Sequence, residues 1–135
     1  MTSPSVFARI PPERWTAAND LVFAVLDTDP VSPGHTLLVP KRQIVTWFDA
    51  TAEETAALGS LLAEVKRHLD AEYRPDGYNV GFNAGAAAGQ TVFHAHLHVI
   101  PRHRGDVPDP TGGVRHAVLG PRARPGTTAR GPRRG

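Results

Sequence analysis

Apolar residues recur along the chain with two periods, every second position in short runs and every third or fourth position in one long run. Residues 21–26 (Leu-Val-Phe-Ala-Val-Leu) form the first convincing strand, rich in β-forming side chains. Residues 36–39 form a second, halted by Pro40. Residues 78–82 form a third. Residues 14–18 suit an earlier strand with Trp15 toward the core, joined to the next by a turn at Asn19-Asp20. Thr51 and Glu54 have the spacing of a helix capping box. Leu58, Leu61, Leu62, Val65 and Leu69 follow on one helical stripe, which predicts an amphipathic helix over 52–72 with His68 facing solvent. Residues 41–48 suit either a short helical turn or a linker. The sum is an α+β domain of about five antiparallel strands and one main helix.

The last run carries the chemistry. His94, His96 and His98 alternate with Ala95, Leu97 and Val99, and Pro101 closes the run. In one continuous strand the histidines would share one face and the apolar residues the other. Just before them, residues 83–90 (Asn-Ala-Gly-Ala-Ala-Ala-Gly-Gln) form a loop of small residues that lets a ligand approach the backbone.

Composition narrows the classes. A chain of 135 residues with 40% hydrophobic and 21% charged residues suits one domain with one core. No apolar run has the length of a membrane span, and the N-terminus lacks a signal pattern, so a cytoplasmic location is expected. With no cysteine, disulfides, thiolate catalysis and Cys-ligated zinc are excluded. The pI near 9.5 suggests a nucleic-acid partner. Yet Arg122, Arg124, Arg130, Arg133 and Arg134 lie in residues 121–135, leaving 10 basic and 13 acidic residues before them. The expected organisation is a mildly acidic domain over 1–120 and a disordered, Pro/Gly/Arg-rich tail over 121–135. That tail is the only segment suited to weak polyanion contact; no nucleic-acid or membrane partner is expected of the rest.

Three readings of the histidine row compete. Buried structural imidazoles would each need polar partners. A metal site would suit two of them, but the outer pair lie ~13 Å apart along a strand, so no metal ligand set is evident. The third reading is nucleophilic attack on phosphorus. Neutral imidazole keeps a nitrogen lone pair at neutral pH once its other nitrogen is held by an acceptor. The middle residue, His96, with helpers on both sides, is the natural nucleophile. His35 follows Pro33-Gly34, which fixes the chain direction there.

Residues 94–100 (His-Ala-His-Leu-His-Val-Ile) resemble the signature of the histidine triad (HIT) superfamily. The resemblance spans roughly residues 5–119. It includes 23–27, 33–41, 79–83 and Gly89-Gln90 in the family's order. It implies a HIT-like fold and a nucleotide hydrolase that works through a nucleotidyl-histidine. By resemblance His96 is the nucleophile, His94 supports the hydrogen-bond network, and His98 lies near the scissile phosphate. His35 orients the triad, and Asp27 accepts hydrogen bonds from the ribose hydroxyls. Asn83, Gln90 and Thr91 line the phosphate and leaving-group site, and apolar residues near Phe7, Ile10, Phe23 and Leu26 include the base-pocket wall. Arg102 and Gly112-Gly113 shape the leaving-group side, and Thr111 stands where similar bacterial proteins often carry arginine. Members are typically homodimers, here with the main helix and the strand near Tyr78 at the interface.

A third histidine, instead of glutamine, favours hydrolase over uridylyltransferase. The resemblance points to purine nucleotides, and above all to dinucleoside polyphosphates. No cofactor is required, although Mg²⁺ can accompany a polyphosphate. The alternatives are a nucleoside phosphoramidase, a nucleotide-binding module with little catalysis, and an RNA-associated protein acting through its tail.

Overall fold

The computed structural model describes residues 3–119. The expectation of a disordered tail over 121–135 falls outside them. The described residues fall into two compact units that divide between His103 and Arg104.

The first unit holds an α+β fold. Its strands are β1 (Ala17–Ala18), β2 (Val22–Leu26), β3 (Thr36–Pro40), β4 (Gly77–Gly81) and β5 (Leu97–Arg102), and its helix is α1 (Ala52–Tyr73). They form one antiparallel sheet in the order β1-β2-β3-β5-β4. The Asn19 carboxamide oxygen accepts from the backbone N–H groups of Leu21 and Val22, which makes the tight β1–β2 turn that Asn19-Asp20 predicts.

Helix α1 begins as its sequence predicts. The Thr51 hydroxyl accepts from the Glu54 N–H, and the Glu54 carboxylate accepts from the Thr51 N–H. Glu54 is buried and also takes both arms of the Arg42 guanidinium, at 2.8 and 3.0 Å. That pair holds its pKa down at about 2. Leu61, Val65 and Leu69 are buried, each worth ~1.5–3 kcal/mol. They pack on Val22, Ala24, Leu38, Leu97 and Val99. His68 is exposed, as its place off the apolar stripe predicts.

The opposite sheet face is also covered. Phe23, Val25, Leu37 and Val39 form a second apolar cluster under Phe7, Ile10 and Trp15. Trp15 stacks on Phe23 with ring centroids 4.5 Å apart. The expected strand over 14–18 shrinks to Ala17–Ala18, because Pro12–Arg14 turn as a short 3-10 helix with proline at its start. Residues 41–48 resolve into a connecting segment and a 3-10 turn over Trp47–Asp49, capped by Thr46.

The described part of the second unit has a 3-10 turn at Gly113–Arg115 and α2 (His116–Leu119). There the His116 ring bonds to the Thr111 carbonyl oxygen.

Candidate active site

The histidine run is not a single strand. β5 starts at Leu97, so His98 lies in the sheet and His94 and His96 precede it. The β3–β5 ladder ends at the pair Leu38 and Leu97. Beyond it β3 runs into Pro40, which has no N–H to give and whose carbonyl oxygen is taken by the His94 ring at 2.8 Å. The Ala95 N–H turns instead to the Ile44 carbonyl, at 2.7 Å. Alternation nevertheless persists: Ala95, Leu97 and Val99 all join the helix-side core. His96 and His98 face a cavity of about 390 Å³, while His94 is wholly buried and lines none of it. The expected row of three imidazoles on one face is therefore a pair in the cavity and a third ring behind it.

Hydrogen bonds assign a tautomer to each ring, because carbonyls only accept and backbone N–H groups only donate. His96 Nδ1 lies 2.8 Å from the His94 carbonyl oxygen, so it carries the proton and Nε2 keeps its lone pair. His94 Nε2 donates to Pro40, and its Nδ1 accepts from the Ser5 hydroxyl, 2.6 Å away. His35 Nδ1 accepts from the Val31 N–H at 3.2 Å, which leaves its proton on Nε2, 2.9 Å from His98 Nδ1. His98 is then the acceptor in that pair, with its own proton on Nε2. Burial pushes the pKa of His35, His94 and His98 below the ordinary histidine value. Asp27 opposes this at His35 and His98, and the Pro40 carbonyl opposes it at His94. All three rings are accordingly neutral near pH 7.

Asp27 follows β2 and reaches His35 Nε2 at 3.5 Å. Its other carboxylate oxygen accepts from the Asp29 N–H, which folds the loop back on itself. Gly34 holds His35 in register. It has a positive φ of 87°, and a Cβ there would sit 2.8 Å from the Tyr73 ring.

Asp27, Asn83 and Thr91 line the cavity with His96 and His98. So do the base-wall candidates Phe7, Ile10 and Leu26, whereas Phe23 lies beneath Trp15. Gln90 does not line it. That side chain is buried, accepts from the Gly85 N–H and donates to the Val45 and Val92 carbonyls. Its geometry braces the small-residue loop and leaves the lining to Gly89 and Thr91. Arg14, Thr28, Val92 and Ser5 belong to the neighbourhood too. Thr28 and Val92 adjoin the predicted Asp27 and Thr91, whereas nothing in the local sequence marks Ser5 and Arg14, which the fold brings there from distant positions.

Among the described residues, Asp27, His35 and His98 are the group whose potential metal-binding atoms lie within 4.8 Å of one another. The 2.9 Å between His35 Nε2 and His98 Nδ1 is shorter than the roughly 3.3 Å two nitrogens keep around a tetrahedral ion. The arrangement has the geometry of a hydrogen-bonded proton. No helix among the described residues is long and apolar enough to cross a membrane.

The sequence profile of the HIT domain matches residues 10–105. An uncharacterized HIT-like protein of Mycoplasma pneumoniae is 41% identical over 85 residues, covering 63% of this chain and 59% of that protein. The AP-4-A phosphorylase of Mycobacterium tuberculosis is 41% identical over 91 residues, covering 67% of this chain and 47% of the enzyme. The chain thus spans between about half and three fifths of these relatives' lengths. A crystal structure of a HIT family protein from Bacillus anthracis superposes with a TM-score of 0.72 at 34% identity, covering 78% of each chain. With the profile matching most of its length and the fold shared, this chain belongs to the HIT domain family.

Proposed function

We propose that the chain is a nucleotide hydrolase that cleaves dinucleoside polyphosphates through a nucleotidyl-His96 intermediate. The observation that carries the reading is His96 lining the cavity with its Nδ1 held by the His94 carbonyl, which leaves the lone pair on Nε2. The apolar wall of Phe7, Ile10 and Leu26 suits a purine, and Asp27 suits the ribose diol.

In the first step His96 Nε2 forms a bond to the α-phosphorus, and the bond to the bridging oxygen breaks in line. The leaving phosphate chain takes that electron pair. His98 Nε2–H donates a hydrogen bond to the oxygen that gains charge. His96 keeps its Nδ1 proton, so the phosphoimidazolium is cationic and rests on the His94 carbonyl. Water then attacks the phosphorus and gives up a proton to solvent, the N–P bond breaks with its electron pair returning to His96 Nε2, and the mononucleotide leaves. Inorganic phosphate in place of water would give a nucleoside diphosphate, the reaction that the name of the mycobacterial relative describes for that enzyme. A cation such as Mg²⁺ enters with the polyphosphate; no protein ligand set is assigned to it. A second copy of the chain is the proposed macromolecular partner, and the cytoplasm, where such nucleotides arise, the proposed location.

The test incubates the protein with diadenosine tetraphosphate, with and without inorganic phosphate, and separately with adenosine 5′-phosphoramidate. AMP from the tetraphosphate, absent with His96→Asn, supports the hydrolase. ADP only when phosphate is present assigns a phosphorylase. AMP from the phosphoramidate alone assigns a phosphoramidase. Bound nucleotide with no product from any of them overturns the enzyme reading in favour of a binding module.

A further inference from the structure

We propose that Ser5 is a positioning residue for the reaction, fixing through its hydroxyl the buried His94 ring whose backbone carbonyl holds the nucleophile. The proposal rests on reading His96 as that nucleophile. Ser5 and His94 are 89 residues apart in sequence, and their side chains meet at 2.6 Å.

The His94 ring has no access to water, so both its nitrogens need protein partners. The Pro40 carbonyl can only accept, which places the ring proton on Nε2 and leaves Nδ1 in need of a donor. Among the described residues, Ser5 is the side chain bonded to that atom. Its oxygen simultaneously accepts from the Ala8 N–H at 3.0 Å, so the hydroxyl proton is free to point at His94.

Ser5 is itself held. Its N–H donates to the Gln43 side-chain oxygen at 2.9 Å, and the Gln43 amide donates to the Ser3 carbonyl at 3.0 Å. This clasp joins residues 3–5 to the segment after β3. The end of β3 and that segment supply the acceptors for the His94 ring, from Pro40, and for the Ala95 N–H, from Ile44. The His94 residue is thereby fixed at its ring and at the following peptide. Its carbonyl cannot turn without breaking one of these bonds, and that carbonyl sets the tautomer of His96. Phe7, two residues after Ser5, lies with its ring centroid 4.8 Å from that of His96, so the clasp also seats one wall of the cavity.

Without the hydroxyl, His94 Nδ1 is a buried acceptor with no donor; the proton stays on Nε2 while the Pro40 bond lasts, and the ring gains only by turning, which gives that bond up. The His94 peptide then loses its anchor. Affinity for nucleotide depends on the cavity walls, and the clasp that seats Phe7 runs through the Ser5 backbone N–H, which the side-chain variants keep, so the loss falls on the chemical step.

The test compares Ser5→Thr with Ser5→Val, which have the same shape and differ only by the hydroxyl, beside Ser5→Ala. Expected are near wild-type kcat for Ser5→Thr and a ~10–100-fold lower kcat for the other two, as for loss of an outer-shell hydrogen bond. KM for diadenosine tetraphosphate should change much less. Independently of turnover, ¹⁵N NMR of the imidazoles should show His94 Nδ1 as a hydrogen-bonded acceptor in wild type and Ser5→Thr, with that hydrogen-bond shift lost in Ser5→Val. Equal kcat for Val and Thr variants, or an unchanged His94 Nδ1 shift in Ser5→Val, overturns the proposal. Failure of the nucleophile reading is distinguishable, since it appears as retained turnover in His96→Asn.

Discussion

His35 Nε2 donates a hydrogen bond to His98 Nδ1 across 2.9 Å, and this bond decides which nitrogen of His98 carries the proton. The bond depends in turn on the Val31 N–H, which occupies the other nitrogen of His35. Replacing His35 with alanine removes the donor and frees the His98 ring to take its other tautomer. Expected is a fall in kcat of ~10–100-fold for diadenosine tetraphosphate, the usual size for loss of an orienting partner. Steady-state kinetics with His35→Ala and His35→Gln checks it, since the glutamine amide retains a donor and should recover part of the loss. Wild-type kcat in His35→Ala would show that His98 needs no orienting partner.

Stability should depend on pH through the same rings. His35, His94 and His98 all have pKa values below 6.5 in the folded protein, with burial as the leading cause. Below pH 6.5 the unfolded chain therefore takes up protons that the folded chain resists. The stabilisation is fully present above that pH and is lost as pH falls through the window beneath it. Each proton of difference gives a slope of about 1.4 kcal/mol per pH unit. Glu54, whose carboxyl drops from 4.5 to about 2, adds its own loss only below pH 4.5. Urea unfolding between pH 7.5 and pH 5 isolates the histidines. His94→Gln, which keeps a donor for Pro40 and an acceptor for Ser5 without titrating, should flatten the curve. An identical slope in that variant would remove His94 from the account.

Local patterns made much of this legible in the sequence. The Thr51–Glu54 box, the leucine stripe, the prolines bounding strands and the Asn19 turn each act within a few residues, so periodicity and turn chemistry are enough to read them. The alternation of His94, His96 and His98 with apolar residues was legible too. What it missed was the end of the ladder, because that depends on Pro40, 54 residues from His94. The same limit hides Ser5 and Arg14, whose relevance arises only when the N-terminal segment folds over the second sheet face. Residues 41–48 gave no periodic signal because their bonds run to separate, distant partners: Arg42 to Glu54, Gln43 to Ser5, and the carbonyls of Ile44 and Val45 to Ala95 and Gln90. Carbonyls have no sequence signature.

Gln90 is a case where residue type suggested a ligand contact and the fold uses it as a brace. Its buried amide closes three bonds, to Gly85, Val45 and Val92. Gln90→Leu fills much the same volume and leaves those backbone groups without partners. Expected is a loss of roughly 2–4 kcal/mol in unfolding free energy, as for orphaned buried polar groups. KM should also rise, since Gly89 and Thr91 on either side line the cavity. Chemical denaturation and steady-state kinetics on one preparation check both. A raised KM at unchanged stability would instead mark Gln90 as a direct substrate contact.

The proposed homodimer makes its own prediction at the sheet edge. β4 pairs with β5 on one side only and ends the strand order, so its other edge is open among the described residues. Val80 in β4 is 39% exposed, and nearby Phe48 is 79% exposed while its ring meets that of Phe82 edge-on at 5.1 Å. An open strand edge beside exposed aromatic surface is what a second copy would cover by extending the sheet. Light scattering should therefore give twice the chain mass. Val80→Lys, which places a charge on the pairing edge, should shift the protein toward monomer. Fold retention is checked by circular dichroism, so that dissociation is separated from unfolding. The cavity side chains named above come from one chain, so nucleotide binding should survive in a folded monomer. A monomeric wild-type protein would refute the dimer and leave the assignment of His96 untouched.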